Sequence, residues 1–499
     1  MLSFLAFDEH GPARERDLVR PHLLGAGDAT YGGQVVFRTG NVRCKPEESR
    51  PATALALEVD AGRAGTLTVQ TCLLQQRNES YELYEELARH RIKLFLEKAE
   101  PWGLLDPARA PEAFELFERA RSTFVSGMME SDPWRSQLLH RDALALGIFA
   151  SEKLAVRRAE ENLQARFATQ GATMALGVRV PLEKAPELMK ACQSPEIDLA
   201  LVPTPWTVIE ASQGRHSWDQ VDRWVLWARE RRKRLLMGPL LDLRPGGLPG
   251  WVLPLLKDLP KFEAKLYDFV RETAIRYGPH APSWVMAAGV NSNEVASLSA
   301  GEMMRVVRHV SVTLRHALPT ARGFVEVADP FGERSPADNG AVGPIAFVRM
   351  LVSDGVKFDA VGVPLLAGDP QHGTRDLMQV AAMLDRFISR KEMPPIYISA
   401  LGAPSAAPAD PGIGCWREPW SERSQAAWCS MAFQVAMANK KVSFAIWDRW
   451  RDEAGTGIRS SGMFAADGSP KQVAVRLLSL RRALRKPTAA AAASEPQQP

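Results

Sequence analysis

Trp284-Val-Met-Ala-Ala-Gly289 and Gly323-Phe-Val-Glu-Val327, with the helical stretch Ser299 to Ala317 between them, decide how this chain folds. Each flanking run is short, apolar and too brief for a helix, which is how a strand buried on both faces reads. The same unit recurs outward in both directions. Further candidate strands are Met174–Val180, Leu199–Pro203 and Arg234–Gly238 on one side, and Ala360–Pro364, Ile396–Ala400 and Ser443–Trp447 on the other. Helical stretches follow most of them: Leu182–Cys192, Trp218–Arg231, Phe262–Tyr277, Pro344–Ser353, Thr374–Ser389, Ser421–Ala438 and Lys471–Arg485. Strand and helix alternating in this way predict an α/β fold, a (β/α)8 TIM barrel over residues 171–486. In such a barrel the chemistry sits where strands end, at the C-terminal face.

What precedes the barrel has a different texture. Residues 1–75 read as a β-rich sheet or sandwich: Thr66-Leu-Thr-Val-Gln-Thr-Cys72 alternates polar with apolar, and Gly62 and Gly65 mark a turn before it. From Ser80 the period becomes helical, with Leu83, Leu87, Arg91 and Leu94 on one face, and two more helices are predicted over Pro111–Phe124 and Ser136–Phe167. Residues 76–170 are thus expected to form a helical segment packed on the barrel, the whole acting as an accessory domain. Residues 487–499, rich in Ala, Pro, Gln and Ser, read as a disordered tail.

Composition narrows the function classes. The 499 residues carry 62 Lys+Arg against 58 Asp+Glu, and the charge is mixed along the chain, which gives no basic surface for nucleic acid. Five scattered cysteines, none in a C-x-x-C spacing, indicate neither a disulfide framework nor a thiolate zinc site. No histidine pair has metal-ligand spacing, no Gly-rich segment has the phosphate-loop pattern, and no cofactor or metal is expected. The N-terminus lacks a signal-peptide pattern and no apolar run approaches a membrane span, so the expectation is a cytoplasmic protein that does not engage a membrane.

The fourth strand leads into Gly289-Val-Asn-Ser-Asn-Glu294. A carboxylic acid preceded by an amide at a barrel strand's C-terminal end suits the acid/base of a glycosidase, the amide reaching a sugar hydroxyl. Asn293 and Glu294 would equally well cap the next helix. The segment Trp206-Thr-Val-Ile-Glu210-Ala-Ser-Gln-Gly214, then Trp218 to Asp222, Gly238-Pro-Leu-Leu, Asn293-Glu294, Asp359-Ala-Val-Gly362 and Met463 to Lys471 occur in an order that resembles glycoside hydrolase family 10, the endo-β-1,4-xylanases. The resemblance covers roughly residues 172–485 and implies a β-linked, xylan-type oligosaccharide as ligand, Glu294 as general acid/base, and Asn293 as its sugar-contacting neighbour. Asn291, Trp206, Trp447, Asp448 and Trp450 are further candidate substrate-binding residues, since flat rings and polar groups at strand ends suit a sugar face.

The departures from that pattern bear on activity. The resemblance implies a nucleophilic glutamate at the end of the seventh strand, and Ala400 occupies that position. Val202, Pro203, Pro205, Pro239, Pro364 and Leu366 stand where the resemblance implies polar sugar-binding residues elsewhere on the same face. Glu326, Asp329, Glu418 and Asp448 are the carboxylates that could substitute. Two readings stand at this point: a hydrolase with an unorthodox second carboxylate, and a catalytically inactive barrel serving as a glycan-binding or protein-interaction scaffold.

Overall fold

The computed structural model describes residues 2–48, 50–170, 175–184, 186, 196–334, 339–389, 391–408, 413–453, 458 and 460–483. Eight parallel strands form the barrel: Ala175–Arg179, Leu199–Val202, Arg234–Met237, Ser283–Ala288, Arg322–Glu326, Ala360–Leu366, Ile396–Gly402 and Val442–Trp447. Closure is explicit in the register. Gly177 of the first strand lies opposite Ile446 of the eighth, and Leu236 of the third lies opposite Ser283 of the fourth. The sequence-predicted barrel is therefore present. Much of the helix expected over Leu182–Cys192 lies outside the described residues, as do Met174 and the 487–499 tail.

The helices that cover the barrel are fixed by local chemistry. Ala300–Ala317 starts at a reciprocal cap between Ser299 and Glu302, and Leu377–Ile388 starts at one between Asp376 and Gln379; such caps satisfy backbone N–H groups that a helix start leaves orphaned. Inside the barrel, Leu199, Leu201, Leu236, Val285, Phe324, Tyr397 and Ile446 fill the interior, with the Phe324 and Tyr397 rings 5.3 Å apart. Side chains alternate in direction along a strand. Two residues beyond Phe324 and Ile446 the inward positions become Glu326 and Asp448, so the apolar fill ends in a charged layer at the C-terminal end.

The N-terminal region holds a four-stranded sheet, a five-stranded sheet and the helices Leu83–Ala99, Pro111–Met129 and Pro133–Gln170. One edge of the five-stranded sheet comes from the barrel. Cys415–Trp416, in the connection after the seventh barrel strand, pairs antiparallel with Gly65–Gln70. Gly65 permits this at φ +99°, and a Cβ there would fall 2.3 Å from the Cys415 carbonyl oxygen. Buried ions seal the contact: Arg91 donates to both carboxylate oxygens of Asp376 at 3.2 and 2.7 Å, and Glu152 accepts from Trp416 Nε1 at 2.6 Å and Arg417 at 2.8 Å. Arg166 donates to the Met437 and Asn439 carbonyls at 2.6 and 2.9 Å. No described helix is long and apolar enough to cross a membrane.

Candidate functional site at the C-terminal mouth of the barrel

A cavity of about 1110 Å³ opens at the C-terminal ends of the strands. Its floor is the charged layer. Arg179, the last residue of the first strand, places Nε 3.2 Å from Asp448 Oδ1, just past the eighth. Arg244, in the segment after the third strand, donates from Nε and Nη2 to the two oxygens of Asp242 at 2.8 and 2.7 Å. Glu326, whose side chain is only 4% exposed, accepts from Tyr397 Oη at 3.0 Å and lies 3.9 Å from Arg244. Burial pushes the Glu326 carboxyl above the usual glutamate range, against the pull of Arg179, Arg244 and the Tyr397 hydrogen bond.

One wall is a chain of ion pairs. Glu294 Oε1 sits 2.9 Å from an Arg334 nitrogen, and Arg334 Nε donates to Asp329 Oδ2 at 2.8 Å. Asp329 Oδ1 is 2.7 Å from His372 Nε2, and His372 Nδ1 is 3.3 Å from Asp369. Burial would lower the imidazole's pKa, but the hydrogen bonds to Asp329 and Asp369 outweigh it and the pKa is pushed up to about 10. His372 is therefore an imidazolium at neutral pH. The N-terminal sheet steadies this loop: Arg20 donates to the Pro370 carbonyl at 2.8 Å, and Thr68 N donates to the Thr374 carbonyl at 3.0 Å.

The sequence-predicted site residues separate into two groups. Glu294, Asp448, Trp206 and Trp450 lie on the cavity lining. Asn291, Asn293 and Trp447 are at most 1% exposed and lie off it. The fourth strand stops at Ala288, one residue before the end its sequence pattern predicts: Gly289 turns left-handed at φ +67°, and a 3-10 turn over Val290–Ser292 follows. Asn293 and Glu294 thus stand in a loop. Asn293 uses its amide to hold that loop, donating to the Leu298 and Asn339 carbonyls at 2.8 and 2.5 Å and accepting from Leu298 N at 2.7 Å. Asn291 donates to the Ala328 carbonyl at 3.0 Å and accepts from Ala328 N at 2.8 Å, tying this loop to the one after the fifth strand.

The tryptophans are packed more than presented. Trp206 is 2% exposed, stacks on Phe269 at 4.7 Å and donates to Glu210 at 2.8 Å; Trp450 is 5% exposed and packs on Phe464 at 4.3 Å. Trp416 and Trp420 are buried in the contact with the N-terminal region and the loop before it, away from the cavity, and Glu418 is exposed outside it. The seventh strand continues past its expected end to Gly402, which puts Ala400 inside the strand, opposite Pro364, and on the cavity lining beside Ser399. The prolines Pro203, Pro239 and Pro364 line the cavity without filling it.

Sequence reasoning missed Arg334, His372, Arg244 and Tyr397. His372 had a signal in Asp369-Pro-Gln-His372 just after the sixth strand, and Tyr397 shares its strand parity with Ser399. Among the described residues no group of His, Cys, Asp and Glu is arranged to hold a metal ion.

No family model matches this chain, and no curated protein matches it. Several solved structures do. Native xylanase 10B from Thermotoga maritima is 14% identical, with 66% of this chain and 98% of that one covered and a TM-score of 0.49. The Thermobacillus composti GH10 xylanase is 15% identical over 64% of this chain and 99% of that one, with a TM-score of 0.48. Xylanase 10B from Thermotoga petrophila RKU-1, solved in complex with xylobiose, is 16% identical over 66% of this chain and 97% of that one, with a TM-score of 0.47.

Proposed function

We propose that the cavity binds a β-linked glycan of the xylan type and does not cleave it by the two-carboxylate double displacement. The observation that carries this reading is Ala400, whose methyl group lines the cavity where the sequence resemblance implies a nucleophilic glutamate. A retaining glycosidase needs its two carboxylates roughly 5–5.5 Å apart, and a methyl group cannot attack an anomeric carbon. Glu294 adds support, because one of its oxygens is already taken by Arg334. In place of an aromatic shelf, a sugar here meets the Arg179–Asp448 and Arg244–Asp242 pairs, fixed donors and acceptors for hydroxyl groups.

A second reading keeps Glu294 as general acid of an unorthodox hydrolase, favoured by its place on the cavity lining with an 18% exposed side chain. The two separate in one experiment: wild type and Glu294→Ala are offered β-1,4-xylo- and gluco-oligosaccharides, with calorimetry for binding and a reducing-end assay for cleavage. The binding reading expects heat without new reducing ends in both proteins. Turnover by the wild type that Glu294→Ala abolishes would replace it with the hydrolase reading.

A further inference from the structure

Glu326, Gly362 and Tyr397 lie side by side on the fifth, sixth and seventh strands: Glu326 is in register with Gly362, and Gly362 with Tyr397. The glycine lets its neighbours meet across it. A Cβ on Gly362 would come within 2.7 Å of both Glu326 Cγ and Tyr397 Oη, so any other residue would part the pair. Tyr397 is fully buried and spends its one side-chain polar atom on Glu326 Oε1. Glu326 lies on the lining of the cavity floor.

The charges around this pair do not balance if Glu326 is ionised. The groups facing it are Arg179 from the first strand, Asp242 and Arg244 from the segment after the third, Tyr397 from the seventh, and Asp448 after the eighth. Arg244 is held bidentately by Asp242 and Arg179 is paired with Asp448, so each cation already has its own carboxylate. Two arginines and two aspartates cancel. A third carboxylate in that layer is one negative charge too many at a side chain only 4% exposed, and a protonated Glu326 leaves the layer neutral.

We propose that Glu326 is the hydrogen-bond donor of the cavity floor, a carboxylic acid oriented by Tyr397 that offers its O–H to an acceptor oxygen of the bound sugar. This rests on the cavity being a glycan site. Tyr397 is a positioning residue, since its phenol is turned to Glu326. Affinity then falls as pH rises through the titration of Glu326, because the donor becomes a second acceptor facing the ligand's oxygen.

The test is calorimetric binding of xylotetraose from about pH 5 to about pH 9 by the full chain, with Glu326→Gln and Tyr397→Phe beside it, and infrared spectra of the unliganded proteins over the same range. Wild-type affinity is expected to drop about tenfold across the range, the scale of one hydrogen bond lost at a buried group. Glu326→Gln keeps a neutral donor and binds with an affinity that stays flat. Tyr397→Phe removes a hydrogen bond that favours the carboxylate, so its drop moves to higher pH, which a merely space-filling tyrosine would not cause. Identical pH profiles for wild type and Glu326→Gln overturn the proposal and leave the glycan reading standing. If wild type binds no xylotetraose, the glycan reading for that probe fails, and the infrared decides on Glu326: a protonated-carboxyl band near neutral pH that is missing in Glu326→Gln upholds its donor state, and no such band refutes it.

Discussion

The contact between the N-terminal region and the barrel buries charge as thoroughly as the cavity floor does, yet the two handle it differently. At the contact the carboxylates are closed off: Arg91 and Asp376 are enclosed and bonded to one another, and Asp376 also caps the helix that begins at Leu377. Glu152, 1% exposed, has Trp416, Arg417 and a backbone N–H as donors. At the floor, Arg179, Arg244, Asp242, Asp448 and Glu326 face about 1110 Å³ of open space, three carboxyl groups beside two arginines. Enclosed and matched charge fastens two parts of a chain; charge held open, in fixed geometry, costs stability and is kept where a ligand completes it.

The largest expected effect lies at the enclosed side. Arg91→Met leaves Asp376 as an uncompensated buried carboxylate and should cost about 3–5 kcal/mol, read as a lower midpoint in urea. A loss no larger than that of an exposed pair, under about 1 kcal/mol, would remove the distinction between the regions. Next comes the ion-pair wall. His372→Gln should cost about 2 kcal/mol at pH 7, because the folded state holds the imidazole's pKa up to about 10. That stabilisation is complete below the unfolded pKa and is lost as pH rises through the folded one, so wild type and variant should converge in alkaline solution.

Glu326→Gln should have the opposite sign. Since folding raises the Glu326 pKa, the wild type is most stable below the ordinary glutamate range and loses stability as pH rises through the folded pKa. The amide escapes this, so thermal melting of the variant should match wild type in acid and exceed it in mild alkali by about 1 kcal/mol. The smallest expected effect is on cleavage. Ala400→Glu places a carboxylate at the seventh strand, but Pro203, Pro239, Pro364 and Leu366 still line the cavity where the sequence resemblance implies sugar-binding polar groups. Reducing-end release from xylo-oligosaccharides should stay at background, and a clear gain would show that Ala400 alone blocks hydrolysis.

The barrel was legible because its signal repeats: short apolar runs separated by helical periods leave few other ways to bury both faces of each strand. The strand carrying Ala400 was legible to within two residues, since its apolar character runs through Leu401 to Gly402. The fourth strand was legible to within one residue, but the loop that follows it was not. Asn293 and Glu294 have the residue types of a sugar site, but a left-handed Gly289 and the turn after it move them into a loop whose carbonyls claim the Asn293 amide. Local composition does not reveal which backbone groups a polar side chain will find. The Glu326–Tyr397 pair depends on three strands in register, and only the glycine between them left a trace in the sequence. The joining of Cys415–Trp416 to the N-terminal sheet is equally non-local.

The most direct test of the account is a calorimetric titration of xylotetraose into wild type and into Asp448→Ala, with reducing ends assayed in the same samples. The expected result is binding by wild type, binding weakened at least about tenfold by loss of the partner that orients Arg179, and no new reducing ends from either protein. Steady release of reducing ends by wild type, or equal binding by both proteins, would contradict a glycan site on this floor that holds its ligand without cleaving it.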